Sequence, residues 1–503
     1  MSTCIQALPP SPGAAAFPRV RTLYDIGGPE WTARKSEPIH GLPICKAHWQ
    51  PKEERRPPKI ASGSPSQRPT SRAAALEADH QRRVRSGHFT KHVNIVLDGE
   101  KFQFSATLLR DLCECPLCVD PSTKQKLFST TDIPSSIAVR SVSHGTDAVD
   151  IQWSDDIQGL PADHITRLST TNLRGLVEHG TTTPWHAYVP APQKTQQAQD
   201  YAQLTDIEYD AYMTDDATLG QALKQLHTHG LLFLRNVPET ETSVSAIGER
   251  IGPIKNTFYG YTWDVRSVPQ AKNVAYTSQD LGFHMDLLYM HQPPHIQLLH
   301  CIRNSSSGGA SLFTDSYAAA ADLLATNAAA FISLAYNEVN FHYNHPSSHL
   351  YHQSRPVFEV PGRNPQAFFA KLRQSKPENV ADFIEAVNWS PPFQGPFSAK
   401  PIKHRDGRRA DALGPVQRKV NEWHQAAKQF SELLHRPSGI YERLMKPGEC
   451  VIFDNRRVLH ARKAFEPGDA GKERWLRGAY LDKDPYMSKM RVMHEAEKQI
   501  LRG

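Results

Sequence analysis

The chain has 503 residues, 39% hydrophobic, 9% aromatic and 22% charged, and its 29 glycines bring the apolar share to about 45%, ordinary for a soluble globular protein of two or three domains. Seven cysteines are too few, and too odd a number, for a secreted disulfide scaffold; the most apolar window, around Ser316–Ala335, is broken by Asp322 and Asn327, so no segment reads as a membrane span. The net charge of +6 hints at an acidic partner, but residues 1–86 hold 14 Lys and Arg against 7 Asp and Glu, which leaves −1 for the remainder and argues against nucleic-acid binding by the core.

Residues 1–88 carry PPSP and RRPP runs without sustained periodicity. Such a basic, Pro-rich extension lacks the apolar surface to offset its ordering entropy and is expected to be disordered. Arg19 and Arg21 precede the first acid, Asp25, so a targeting segment is the alternative, with mitochondria as the expected location and the cytosol as its rival. Order begins near Phe89, where Val93, Ile95 and Leu97 alternate, Asp98–Gly99 turns the chain, and Phe102 and Phe104 alternate back as a hairpin. A second hairpin runs through Ile137–Val142, turns at His144–Gly145 and returns through Val149–Trp153.

Residues 89–190 therefore read as a small β domain, and the Gln-rich stretch from Gln193 to Gln203 as a linker. Residues 204–503 mix helices (Ala217–His227, Tyr317–Ala330, Val416–Leu434) with short strands at Leu231–Leu234, His295–Ile302, Ser311–Phe313, Cys450–Phe453 and Trp475–Leu481. There is no regular βαβ alternation and no Gly-rich phosphate loop after a strand. The expected class is mainly β with α decoration, a two-sheet jelly roll.

Three patterns carry chemistry. In Phe283-His284-Met285-Asp286 an imidazole and a carboxylate two residues apart on an extended segment project to one side and can grip one metal. Alone the pair is weak, since a chain with 24 histidines produces several by chance, and its plain reading is a surface loop. His460 follows the strand Val451–Phe453, and with His284 and Asp286 it offers two imidazoles and one carboxylate, which leave three open positions on an octahedral Fe(II). Arg474, at the start of the strand Trp475–Tyr480, can clamp a carboxylate bidentately, or be an ordinary strand-edge charge. Between the hairpins, Cys113, Cys115 and Cys118 supply three of the four ligands of a structural Zn(II) site; His144, His164 and His179 compete for the fourth, and buried free thiols are the other reading.

The runs NVAYTSQDLGFHMD, HQPPHIQLLHCIRNSSSGGASLFTDS, DNRRVLHARKAF and RWLRGAYLDKD resemble the gamma-butyrobetaine dioxygenases and, more broadly, the carnitine-pathway branch of the TauD/TfdA-like 2-oxoglutarate-dependent oxygenases, over roughly residues 89–503. The resemblance implies a double-stranded β-helix core with Fe(II) on His284, Asp286 and His460. It also implies that Arg474 holds the distal carboxylate of the co-substrate 2-oxoglutarate, and that His164 completes a zinc site in an N-terminal domain. It further implies that Tyr259, Trp263, Tyr276 and Tyr480 cage a trimethylammonium group, and that Asn273 contacts the substrate carboxylate; the plain reading of those aromatics is core packing.

The expected reaction is hydroxylation of gamma-butyrobetaine at C3 to L-carnitine, consuming O2 and 2-oxoglutarate, with ascorbate as reductant; trimethyllysine or another betaine is the alternative substrate. A non-catalytic jelly roll with a zinc module would be the reading had a member of the triad or Arg474 been missing. A homodimer stays open. Two departures stand out: Arg456 replaces the usual tryptophan of the family's DNWR run, and Asn388-Trp389-Ser390-Pro391 matches only loosely the Asn-rich region of the carboxylate site.

Overall fold

The computed structural model describes residues 92–180, 193–266, 279–304, 308–361, 383–398, 413–466 and 474–502, with 368 and 370; the extension, residues 1–88, lies outside them. The first hairpin forms as read, β1 (His92–Leu97) pairing antiparallel with β2 (Glu100–Ser105). Asp98 and Gly99 both take positive φ, 52° and 85°, the backbone that matches a two-residue turn to the twist of its strands. The second hairpin, β3 (Ala138–His144) with β4 (Ala148–Asp155), gains a third strand that the sequence concealed, β5 (Ile165–Ser169). Its pattern is inverted: Ile165 is exposed while Thr166 is buried, accepting from Trp153 Nε1 at 2.8 Å. Val93, Ile95, Ile151, Trp153 and Leu168 close a small core among these strands.

Residues 193–203, expected as a linker, are packed instead. Tyr201 is 2% exposed, and the Gln196 amide donates to Asp315 Oδ2 at 2.8 Å. A polar composition masked one anchoring tyrosine.

The strands that follow are β6 (Ile207–Glu208), β7 (Leu231–Arg235), β8 (Trp263–Val265), β9 (Leu281–His284), β10 (Ile296–Arg303), β11 (Ser311–Asp315) and β12 (Val339–His345). After them come β13 (His349–Arg355), β14 (Phe358–Glu359), β15 (Ala386–Val387), β16 (Ile440–Arg443), β17 (Glu449–Asp454), β18 (Val458–Arg462) and β19 (Trp475–Leu481). A six-stranded sheet of order β6-β7-β17-β10-β19-β8 faces a four-stranded one of order β16-β11-β18-β9. Phe233, Val451, Phe453 and Leu476 of the first meet Phe313 and Val458 of the second. On the outer face of the larger sheet, helices Asp216–His229, Ser243–Ile251 and Lys483–Arg502 bury Leu223, Ile247 and Met490 against Leu232, Leu298 and Ile452. The result is the mainly β, helix-decorated jelly roll that the sequence leads one to expect.

One expected helix, Tyr317–Ala330, is two, Ser316–Thr326 and Ala328–Tyr336. Asn327 breaks it at φ −150°, ψ 82°, and its side chain caps the second helix by accepting from the Ala330 amide. No helix among the described residues is long and apolar enough to cross a membrane.

Candidate active site and metal centres

Sheet register builds the first centre. β18 pairs with β9 so that His460 lies opposite His284, with ring centroids 4.1 Å apart. Asp286 follows the end of β9, and the ligand atoms of the three residues lie within 4.8 Å of one another. His284 Nδ1 donates to the Gly282 carbonyl at 2.8 Å, which leaves Nε2, 3.4 Å from Asp286 Oδ1, as the lone-pair nitrogen. His460 Nδ1 is buried without a hydrogen-bond partner among the described residues. Asp286 Oδ2 is occupied, accepting from Tyr480 Oη at 2.7 Å and Gln297 Nε2 at 2.8 Å, so Oδ1 is the oxygen left for a metal. Asn455 brackets the same residue, accepting from the Asp286 amide at 2.9 Å and donating to its carbonyl at 3.1 Å.

Charge favours a cation at this point. Burial alone would raise the Asp286 carboxyl, but the two imidazoles and the Tyr480 hydroxyl outweigh it and hold the carboxyl well below the ordinary range. Burial, with His284 alongside, pushes His460 down to about 3, which leaves a neutral imidazole able to ligate a metal. Burial and the Asp286 charge keep Tyr480 protonated and donating. Two imidazoles and one carboxylate on one side of an open pocket fit an Fe(II) that needs free positions.

The pocket beside the trio is lined by Tyr259, Trp263, Tyr289, Phe393 and Tyr480 and by two cations, Arg462 and Arg474. Trp263 lies against Tyr480, with centroids 3.9 Å apart at 17°, and over Gly478; a Cβ at Gly478 would come within 2.3 Å of the indole, so this approach requires glycine. Arg474 is 5% exposed and has no carboxylate partner among the described residues; burial and the neighbouring Arg462 pull its guanidinium down to about 10. A buried cation beside a second one suits an anionic ligand such as a carboxylate.

The second centre is closed. His164 Nε2 lies 3.6, 3.3 and 3.5 Å from the sulfurs of Cys113, Cys115 and Cys118. Tetrahedral Zn(II) with Zn–S of about 2.3 Å and Zn–N of about 2.05 Å has S···N edges of about 3.6 Å, so the donor set fits that ion. His164 Nδ1 bonds Asp156 Oδ2 at 2.8 Å; Asp156 Oδ1 accepts from Arg110 Nε at 2.5 Å, and Arg110 Nη2 reaches Cys118 Sγ at 3.5 Å. Of the rival histidines, His144 is exposed on β3, and the side chain of His179 lies outside the described residues.

Residues 190–480 match the family described as "Taurine catabolism dioxygenase TauD, TfdA family", and residues 84–160 match "Gamma-butyrobetaine hydroxylase-like, N-terminal". The chain belongs to the TauD/TfdA family. It is 35% identical over 401 residues to dioxygenase str8 of Strobilurus tenacellus, covering 76% of this chain and 84% of that protein. To the gamma-butyrobetaine dioxygenase of Pseudomonas sp. (strain AK-1) it is 29% identical over 397 residues, covering 79% and 92%. To the mitochondrial trimethyllysine dioxygenase of Gallus gallus it is 25% identical over 408 residues, covering 80% and 86%. This TauD/TfdA protein is an Fe(II)- and 2-oxoglutarate-dependent dioxygenase.

Within this dioxygenase, Tyr259, Trp263, Tyr480 and Arg474 line the pocket of the trio, whereas Asn273 and Tyr276 lie outside the described residues. Asn388 does not face the pocket; it is fully buried and bonded to Arg456, Glu359 and the Pro356 carbonyl. Among the lining residues that escaped the sequence reading are Arg462, Tyr289, Phe393 and Gln297. Arg462 was legible, sitting two residues beyond His460 on the same strand and hence on the same face. Tyr289 and Phe393 carry no local signal. Gln297 reaches Asp286 because β10 pairs it with Tyr480, a fact of register alone.

Proposed function

We propose that this dioxygenase hydroxylates gamma-butyrobetaine at C3 to L-carnitine, with iron on His284, Asp286 and His460 and the distal carboxylate of 2-oxoglutarate on Arg474. The observation that carries the reading is the convergence of Tyr259, Trp263 and Tyr480, with Tyr289 and Phe393, on the pocket that holds the trio. Ring faces attract a quaternary ammonium that cannot hydrogen-bond, by about 2 kcal/mol or more where water is excluded.

Iron with 2-oxoglutarate supplies the oxidant: O2 takes four electrons, two from conversion of 2-oxoglutarate to succinate and CO2 and two from the C–H bond that becomes C–OH. The chain's residues do the rest. Tyr480 and Gln297 hold Asp286 Oδ2, which leaves Oδ1 free to take the metal. Arg474 and Arg462 offset the charge of the co-substrate, and Leu281, Leu299 and Leu476 exclude water. Tyr480 also joins the aromatic wall to the metal ligand, which couples substrate seating to the geometry of the carboxylate.

Residues 89–190 are proposed to hold structural zinc on Cys113, Cys115, Cys118 and His164, and residues 204–503 to form the oxygenase domain. A mitochondrial location is supported by the similarity to the mitochondrial trimethyllysine dioxygenase of Gallus gallus; a tagged full-length chain that stays in the cytosol with its N-terminus uncleaved would exclude it. A second reading, a substrate other than gamma-butyrobetaine, is supported by the higher identity to dioxygenase str8 (35%) than to the Pseudomonas enzyme (29%), and trimethyllysine is one candidate, from the Gallus gallus relative at 25%. Purified protein incubated with Fe(II), 2-oxoglutarate and each betaine, read by mass spectrometry, decides between them. Gain of one oxygen by gamma-butyrobetaine with matching succinate supports the first reading. Oxygen gain by trimethyllysine alone transfers the assignment to it, and no gain by either rejects both of these substrates.

A further inference from the structure

Behind the Asp286 turn lies a buried ionic cluster that belongs to neither metal centre. Arg456, 6% exposed in the turn between β17 and β18, donates from Nη1 to Asn388 Oδ1 and from Nη2 to Glu359 Oε1, both at 2.9 Å, and Nη1 lies 3.7 Å from Met285 Sδ. The same Glu359 oxygen accepts from Asn388 Nδ2 at 2.9 Å and from Arg355 Nη1 at 3.3 Å. Arg355 turns its remaining donors on the carbonyls of Leu288 (Nε, 3.0 Å), Met290 and His291 (Nη2, 2.6 Å to His291). The Met285 amide donates to the carbonyl of Trp389, next to Asn388, at 2.8 Å.

One carboxylate thus ties together two guanidiniums that grip opposite ends of a single turn. Between those grips lie Asp286, Leu287 at φ 61°, and Tyr289, whose ring lines the pocket. A leucine in the left-handed region is strained and persists only where its surroundings hold it. A planar guanidinium fork suits that task because its donors are fixed relative to one another, whereas an ammonium is a single point charge.

We propose that Arg456, acting through Glu359 and Arg355, is a positioning residue that sets the turn Met285–His291 and with it both the Asp286 carboxylate and the Tyr289 ring. The inference rests on the trio being the metal site, but its first readout does not. In metal-free full-length protein, R456M should speed amide exchange at Met285, Asp286 and Met290 by about ten-fold or more. R456K, which keeps the charge but loses the fork, should do so by less and is read alone should the methionine variant not fold. The helix Asp216–His229, on the far side of the larger sheet, should be unchanged. In the second readout, iron added alone should bind about ten-fold more weakly, the lower end of what loss of a ligand-orienting group costs.

Unchanged exchange in the turn overturns the proposal, as does an equal rise in the distant helix, which would mark general loosening. Faster exchange with undiminished iron affinity overturns the link to Asp286. A wild-type chain that binds no iron would discard the metal-site reading while leaving the exchange result to judge the clamp.

Discussion

The two donor clusters use the same residue type in opposite ways. Beneath the Cys113–Cys115–Cys118–His164 cluster, Arg110 is fully buried but compensated, bonded to Asp156 and touching a sulfur. Beside the His284–Asp286–His460 cluster, Arg474 is also buried, yet it has no carboxylate partner among the described residues. The four donors of the first cluster would fill a tetrahedral ion and leave no position for a substrate; the three of the second would leave half an octahedron open to an aromatic pocket. A compensated, closed site stabilises a small core that would be marginal by itself. An uncompensated, open one is built to be completed by what it binds.

This contrast can be broken from either side, and the largest effect is expected at the open site. Asp286→Ala removes the one anionic member of the proposed iron trio and should abolish substrate-dependent succinate formation while the fold and the zinc content are kept. Undiminished succinate from the folded variant would remove the residue from the metal site. At the closed site, Cys115→Ser should take the protein from about one equivalent of zinc to none and lower its melting temperature, because metal binding there is folding free energy. Metal analysis with calorimetry checks both, and an unchanged pair of values would make the cysteines ordinary buried thiols.

A subtler change sharpens the comparison. Asp156→Asn leaves all four zinc ligands but removes the anion that joins His164 to Arg110. Zinc affinity should fall about 10- to 100-fold, measured by competition with a chromogenic chelator, with the iron site untouched. Equal affinity would mean that Asp156 does not orient the ligand. The smallest effect is expected for Trp263→Leu, which keeps apolar bulk but loses the ring face and its stack on Tyr480. The Michaelis constant for the betaine should rise about ten-fold, for a loss of about 1–2 kcal/mol, while the dissociation constant for 2-oxoglutarate holds. A neutral tert-butyl isostere is the control: if the wild type uses it as well as the betaine, the pocket reads shape and not charge.

Local pattern was enough to disclose the hairpin β1–β2, the three-cysteine run, the pair His284 and Asp286, and the strand Trp475–Leu481, because turn residues, ligand spacing and alternating apolarity all act over a few positions. It failed where polarity and burial part company. In β5 Ile165 is exposed and Thr166 buried, against their polarity, Tyr201 anchors a stretch whose glutamines suggested a linker, and Asn327 divides an expected helix into two.

The sequence by itself thus determined which donors exist and in what class of fold they sit. Only the tertiary structure decided which of them meet. His164 rather than His144 joins the cysteines; β18 sets His460 against His284; β10 brings Gln297 to Asp286; and Arg456 finds Glu359 some hundred positions away. Sheet register and the burial of charge make those choices. Both depend on contacts between segments distant in the chain, where an unpaired ion costs several kcal/mol and a one-residue slip turns every side chain to the wrong face.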